Sequence, residues 1–401
     1  MTRLFLCYTF LMHIRAFERR GARKAWPVYL ANLFFSLSYA LILYINSSFL
    51  GKFFSPKDVS LLFVFAALGN IVFFFIAPLL LRSIGNTRTL VFFLLLQYAG
   101  LAGLIVSTSS FAIAASFFLY GSTAMMVFYS LDIFIEGISS DARTGEIRGI
   151  TLTLDNLSVA IAPLLISVLA FDGQFKLAYF ASSLLILPVI FIAFFCLKKF
   201  GPGHEKSHSI GLPFLEWWKR AEPRRATIAR FVLELFYAVM VIFVPLYLSI
   251  SIGFSWPVIG VIFSFMLLPF VLFELPAGEL ADHWCGEREI MTLGFFIIGL
   301  SLLSMPFLGT SAPVWAIVLF ISRVGAAFVE VTSEVHFFRH AHKDDTGLIS
   351  IFRLTRPTAI AAGALVGGTL LSRYSFSALF FCLALVVLLG MHESARLKDR
   401  L

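Results

Sequence analysis

Twelve apolar runs, each close to the length that crosses a bilayer, leave this chain few ways to fold. They lie near residues 26–48, 59–81, 89–109, 111–136, 150–171, 175–197, 228–250, 255–280, 290–309, 312–337, 347–371 and 374–391. A spanning helix needs about 20 predominantly apolar residues. Lipid offers no partner to an open backbone group, so spans must be helices or closed barrels, and these runs lack the short alternation of barrel strands. Composition agrees, with 59% apolar residues, 13% charged residues and 47 Phe, where ordinary soluble domains carry about 25% charge. The expectation is an all-α membrane protein with twelve transmembrane helices.

A net charge of +8 would suit a nucleic-acid partner, but the placement of the basic residues excludes it. With both termini cytoplasmic, 26 of the 31 Lys and Arg fall on inside segments; Lys52, Lys57, Lys176 and Arg373 fall outside, and Arg323 lies within a span. That bias follows the positive-inside rule. The chain therefore reads as a multi-pass protein of the plasma (inner) membrane, with the bilayer rather than nucleic acid as its environment. Leu4 to Ile14 is apolar but too short to span, and its basic residues follow it, whereas a cleaved signal carries charge first. It reads as an interfacial segment, with an over-extended start as the alternative. Cys7, Cys196, Cys285 and Cys382 are scattered, which argues against disulfides or zinc. His204 and His208 lack a third ligand, so no metal or other cofactor is expected.

The chain is also duplicated. APLLLRSIGNTR (Ala77 to Arg88) and GELADHWCGER (Gly278 to Arg288) end equivalent runs, and Ala77/Gly278, Leu81/Asp282 and Gly85/Gly286 are each separated by 201 residues. Thr144-Gly145 and Thr346-Gly347 differ by 202, so one register relates two six-helix bundles as parallel repeats. The expected organisation is an interfacial segment 1–25, a bundle 26–197, a cytoplasmic linker 198–225, a second bundle 226–391 and a tail 392–401. Within the linker, LPFLEWWKR suits a short helix in the headgroup region, where Trp is favoured.

Twelve helices in a 6+6 parallel repeat, a long central loop, and GELADHWCGER between spans 8 and 9 resemble the major facilitator superfamily. Gly278 and Asp282 match that family's loop motif; His283 stands where Arg is usual, Gly286 comes one residue late, and Arg288 supplies the basic end. The first-half copy, with Leu81, Arg82 and Gly85, has no carboxylate. The resemblance implies alternating access, a central substrate cavity lined mainly by spans 1, 4, 7 and 10, and a loop that latches the halves. In that arrangement Asp282 lies near Arg148 at the start of span 5. A glycine and proline motif of many antiporters is poorly matched by Ala162-Pro163, so export by antiport does not follow.

Charges inside spans are costly, about 2.5–3.5 kcal/mol each at the centre on insertion scales, so their positions carry information. Span 4 holds Asp132 and Glu136, span 5 Arg148 and Asp155, span 7 Arg230 and Glu234, span 8 Glu274, span 10 Arg323, Glu330 and Glu334, and span 11 Arg353 and Arg356. At 1.5 Å per residue all but Arg323 fall in the cytoplasmic third to half. An ionic gate is one reading, with Asp155 or Arg148 meeting Glu274 where spans 5 and 8 of the family adjoin; interfacial snorkelling or static pairing is the other.

The candidate substrate cavity combines Asn32, Ser36 and Tyr39 from a polar stripe on span 1 with Tyr129, Glu234, Tyr237 and Arg323. Arg323 would either bind an anionic group on the solute or pair with Glu330 or Glu234. Proton coupling needs a carboxylate whose charge can change in place, and Glu330, Asp132 and Glu234 qualify by position. These residues point to a monomeric secondary transporter of a small organic or amphipathic solute, proton-coupled or facilitative. A polytopic enzyme built on His336, His340 and His342, and a transporter-like sensor, are the rivals. No catalytic residue is assigned, and no phosphate-binding glycine loop supports ATP-driven pumping.

Overall fold

The computed structural model describes residues 22–138, 144–170, 173–197, 211–281, 286–341 and 346–398. Twelve helices among them are long and apolar enough to cross a membrane. They are α1 (Ala22–Leu43), α2 (Pro56–Ile84), α3 (Asn86–Val106), α4 (Ser110–Ile138), α5 (Thr144–Leu169), α6 (Lys176–Phe195), α7 (Ala221–Leu246), α8 (Trp256–Leu280), α9 (Gly286–Ser304), α10 (Ala312–His340), α11 (Thr346–Leu371) and α12 (Phe376–Ala395). No strand occurs among the described residues. The all-α expectation holds.

The first span differs in detail. Rather than one run to residue 48, α1 stops at Leu43 and the chain resumes as a short helix, Asn46–Leu50. Span 7 likewise ends in a π-helical turn, Tyr247–Ser251. Local chemistry sets other boundaries cleanly: Ser55 caps α2 by accepting the Asp58 N–H, and Pro56 occupies the first turn, where its missing N–H costs nothing.

The duplication appears as a repeated packing pattern. In the first half α1 packs on α5 and α6, α2 on α4, and α3 on α4 and α6; α7 packs on α11 and α12, α8 on α10, and α9 on α10 and α12 in the second. The paired loops match at the level of backbone angles, with Gly85 at φ 78° and Gly286 at φ 77°. Those values lie in the left-handed region that only glycine enters freely, which explains why the turn after each second helix keeps one.

The halves meet through α5 on α8 and α2 on α11. These contacts depend on small residues, as close helix approach in a bilayer requires. A Cβ on Gly260 would sit 2.5 Å from the Pro163 carbonyl oxygen, and one on Gly368 would overlap Ser60. Outward-facing Phe65, Leu79, Val168, Phe191 and Leu385 are each more than half exposed, an apolar periphery suited to lipid. A linker helix, Gly211–Lys219, packs Trp217 against a cluster of Ala226, Phe337, Leu348 and Phe352, and leaves Phe214, Leu215 and Trp218 exposed.

Candidate functional site

Between the halves lies a cavity of about 570 Å³, within the range of small-molecule sites. Its walls run from Tyr44 and Tyr120, near the end of the bundle remote from the linker, to Phe338, Phe352 and Arg353 near the linker end. Exposed Asp132, Glu334, Arg353 and Arg356 mark the linker end as open. At the opposite end Tyr44 packs on Phe263 with ring centroids 4.9 Å apart, and Phe175 packs on Trp256 at 4.9 Å. With the Gly260 contact these rings seal that end, so the conformation is open on one side only.

Every residue expected to face the solute lines this cavity: Asn32, Ser36, Tyr39, Tyr129, Glu234, Tyr237 and Arg323. So do the candidate coupling acids Glu330, Asp132 and Glu234. Their connections differ from the expected ones. Asp155 faces α1 rather than Glu274, accepting hydrogen bonds from Asn32 Nδ2 at 2.6 Å and from Ser36 Oγ. The contact to Glu274 comes from the next residue, Asn156, whose Nδ2 donates at 2.8 Å. Adjacent helical residues point about 100° apart, so one turn of α5 serves both α1 and α8.

A second group organises the other half. Arg230 contacts Glu234 Oε1 at 2.8 Å and Glu330 Oε1 at 3.1 Å, while the Tyr237 hydroxyl donates to Glu330 Oε2 at 2.8 Å. Glu234 is 4% exposed, and Arg356 Nε approaches its other oxygen at 3.9 Å. The Tyr39 hydroxyl adjoins Arg356, and Asp155 lies within electrostatic reach of it, so this cation stands between acids of the two halves. Sequence reading counted Arg356 among the span charges and gave it no role. Arg230, for which snorkelling or static pairing was the alternative to a gate, is paired inward with Glu234 and Glu330.

The expected structural pair of Arg323 with Glu330 or Glu234 is absent, because both carboxylates are engaged by Arg230, and Glu330 also by Tyr237. Arg323 is 1% exposed; its guanidinium lies 4.8 Å from the Phe236 ring centroid and 5.7 Å from that of Tyr237, beside the Tyr44 hydroxyl.

The expected latch is only partly described. Asp282 and the Arg148 side chain lie outside the described residues. Arg288 pairs with its neighbour Glu289, Arg82 is exposed in the last turn of α2, Gly85 caps that helix, and Gly278 lies near Val331. Beside this loop stands an ionic cluster the sequence did not reveal. His336, fully buried, places Nδ1 2.5 Å from Glu287 Oε2 and Nε2 3.3 Å from Glu222 Oε2. Arg339 reaches Glu287 at 2.8 Å and the Lys398 N–H donates to Glu222, so α7, α9, α10 and the tail are tied together. Two carboxylates on one imidazole make a structural cross-link; no group of side chains suited to a metal occurs among the described residues.

The family model of the Major Facilitator Superfamily matches residues 28–347 and 226–394. The chain belongs to this superfamily. A POT family peptide transporter in an autoinhibited crystal form is similar, with TM-score 0.72, 14% identity and coverage of 94% of this chain and 98% of that one. The nucleoside transporter NupG gives TM-score 0.74 at 10% identity, covering 92% and 98%. The human organic anion transporter MFSD10 gives 0.66 at 17%, covering 94% and 100%. Likeness at these identities establishes the transporter fold of an integral multi-pass membrane protein and leaves the solute to be argued from the cavity. No curated protein matches the chain.

Proposed function

We propose that this protein is a secondary transporter that moves a small organic, amphipathic solute by alternating access, with the cavity alternately open at the two ends. The observation that carries the proposal is a solute-sized cavity between two repeat-related halves, sealed at one end by Tyr44, Phe263 and Gly260 and open at the other. Such transporters place the solute near the midplane between repeats and rock one half against the other. The halves, 26–197 and 226–391, are the moving bodies, and residues 198–225 connect them on the cytoplasmic side. The protein works as a monomer in the plasma membrane with both termini inside.

Proton coupling fits the same geometry. Glu234, Glu330 and Asp132, joined by Asp155, share the cavity with Arg230 and Arg356, so a proton taken by one acid changes which half holds Arg356. Asp155 and Glu274 are held by the neutral donors Asn32, Ser36 and Asn156, and either can gain a proton without releasing a paired arginine. On the linker side, the α5 to α8 contact through Asn156 and Glu274, with Arg148 and Asp282 nearby in the chain, forms the gate and latch that tighten when that side closes.

Proteoliposomes loaded with a solute found to stabilise the purified protein test this reading. Counterflow of that solute is expected, with net accumulation under an inward proton gradient and loss of accumulation, but not of counterflow, in Glu330→Gln or Asp155→Asn. Counterflow indifferent to the gradient would assign facilitated diffusion instead. A binding solute that never exchanges would overturn transport itself.

A further inference from the structure

The sealed end of the cavity holds a cation that forms no ion pair with any acid among the described residues. Arg323 is 1% exposed and lines the cavity, and its Nη1 has no hydrogen-bond partner among the described residues. The nearest candidate acids are taken: Glu330 by Arg230 and Tyr237, Glu234 by Arg230 and Arg356, Asp155 by Asn32 and Ser36, and Glu274 by Asn156. A desolvated guanidinium without a counter-charge is expensive, and it is retained where an occupant supplies the charge.

We infer that Arg323 is the receptor for a single oxyanion, a carboxylate or its sulfonate or phosphonate equivalent, carried on an apolar or aromatic solute. This rests on the transporter reading and names its substrate class. Phe236 and Tyr237 cover the guanidinium through cation–π contacts, which fix its plane, and its Nη1 stays buried without a hydrogen-bond partner among the described residues in a side chain that lines the cavity. The Tyr44 hydroxyl beside it supplies a second donor. Around this polar end the cavity is lined by Phe63, Phe117, Tyr120, Val241 and Leu267, surfaces that fit an apolar body. At this depth the one buried cation selects one negative charge, whereas Arg353 and Arg356 are exposed at the linker end.

The placement also ties the anion to the transport cycle. Arg323, Phe236 and Tyr237 belong to the second half, whereas Tyr44 belongs to the first and seals the cavity by packing on Phe263. A bound oxyanion would therefore touch both halves at the seam that must open, and its presence would set whether that seam holds.

The test uses the purified full-length protein and three matched probe pairs: benzoate and benzamide, 2-naphthoate and 2-naphthamide, and indole-3-acetate and indole-3-acetamide. Affinity is read from ligand-dependent thermal stabilisation, which follows mass action. At least one acid is expected to bind ten- to a hundred-fold or so more tightly than its amide, as a charge-assisted hydrogen bond implies. Arg323→Met should abolish that preference and Arg323→Lys should keep part of it. Equal affinity for acids and amides, binding of neither, or an undiminished preference in Arg323→Met would overturn the assignment.

So that the test does not depend on the Met variant folding, wild-type protein is also labelled with phenylglyoxal and mapped by mass spectrometry. The acid that binds should shield Arg323 while its amide does not; equal shielding overturns the assignment. Counterflow separates the two claims. Flux of amides with no preference for acids removes the anion site and keeps the transporter, whereas tight binding of acids without flux removes the transporter and keeps the site.

Discussion

Removing Arg230 should be the most damaging single change in the cavity. Its guanidinium contacts Glu234 at 2.8 Å and Glu330 at 3.1 Å, and Glu234 is almost fully buried. At an effective dielectric of about 20, each contact near 3 Å is worth roughly 5 kcal/mol before desolvation. Most of that gain offsets the cost of burying the ions, but Arg230→Met leaves two carboxylates facing each other with only Arg356 at hand. Truncating one partner of a buried pair costs about 3–5 kcal/mol, and at about 2–4 °C per kcal/mol for a unit the size of one half this lowers Tm by about 6–20 °C. Tryptophan fluorescence during heating in detergent reads the transition. The signature that separates electrostatics from packing is rescue: adding Glu234→Gln or Glu330→Gln to Arg230→Met should restore at least half of the lost Tm. A Tm within about 1 °C of wild type, or double variants no better than the single, would refute the reasoning.

The other predictions concern single contacts. Gly260→Val, which drives a side chain into the Pro163 carbonyl, should open the sealed end and raise thiol labelling of a cysteine placed at Tyr44 from the side remote from the linker; unchanged labelling would mean that α5 and α8 do not form the seal. Gly85→Ala and Gly286→Ala should each cost about 1–3 kcal/mol from backbone strain alone, as thermal unfolding would report. His336→Leu should leave Glu222 and Glu287 without their shared partner and lower stability by about 3 kcal/mol, with transport specificity unchanged in the folded fraction.

The spans were legible because the bilayer fixes their length and leaves the backbone no alternative to helix. The duplication was legible because the turns after α2 and α8 must contain a residue at φ near +78°, which placed Gly85 and Gly286 201 residues apart. Side-chain partners were harder to read. Asp155 and Asn156 are neighbours in sequence but face different helices, and only the rotation of α5 in the bundle decides which one meets Glu274. The choice of partner for Arg323 turned on Arg230 reaching Glu330 first, a contact between α7 and α10 that spans 100 residues of chain.

Some signal was available for what was missed. Arg356 stands 201 residues after Asp155, one short of the 202 that relates the starts of α5 and α11, so the repeat places opposite charges within one residue of the same depth on the two helices, and the structure brings both to the cavity. The His336 cluster had no such signature, because Glu222, Glu287 and His336 lie on three helices with no repeated spacing. The break after Leu43 in the first span likewise has no glycine or proline to announce it.

Double electron–electron resonance on reconstituted protein tests alternating access most directly. Spin labels would replace Lys52 and Ile250 at the sealed end, and Ser83 and Phe338 at the open end, in a background lacking the four native cysteines. The account predicts two populations in which the first distance lengthens as the second shortens, with the balance shifted by a transported solute. A single fixed distance at both ends, or two distances that change in the same direction, would contradict it.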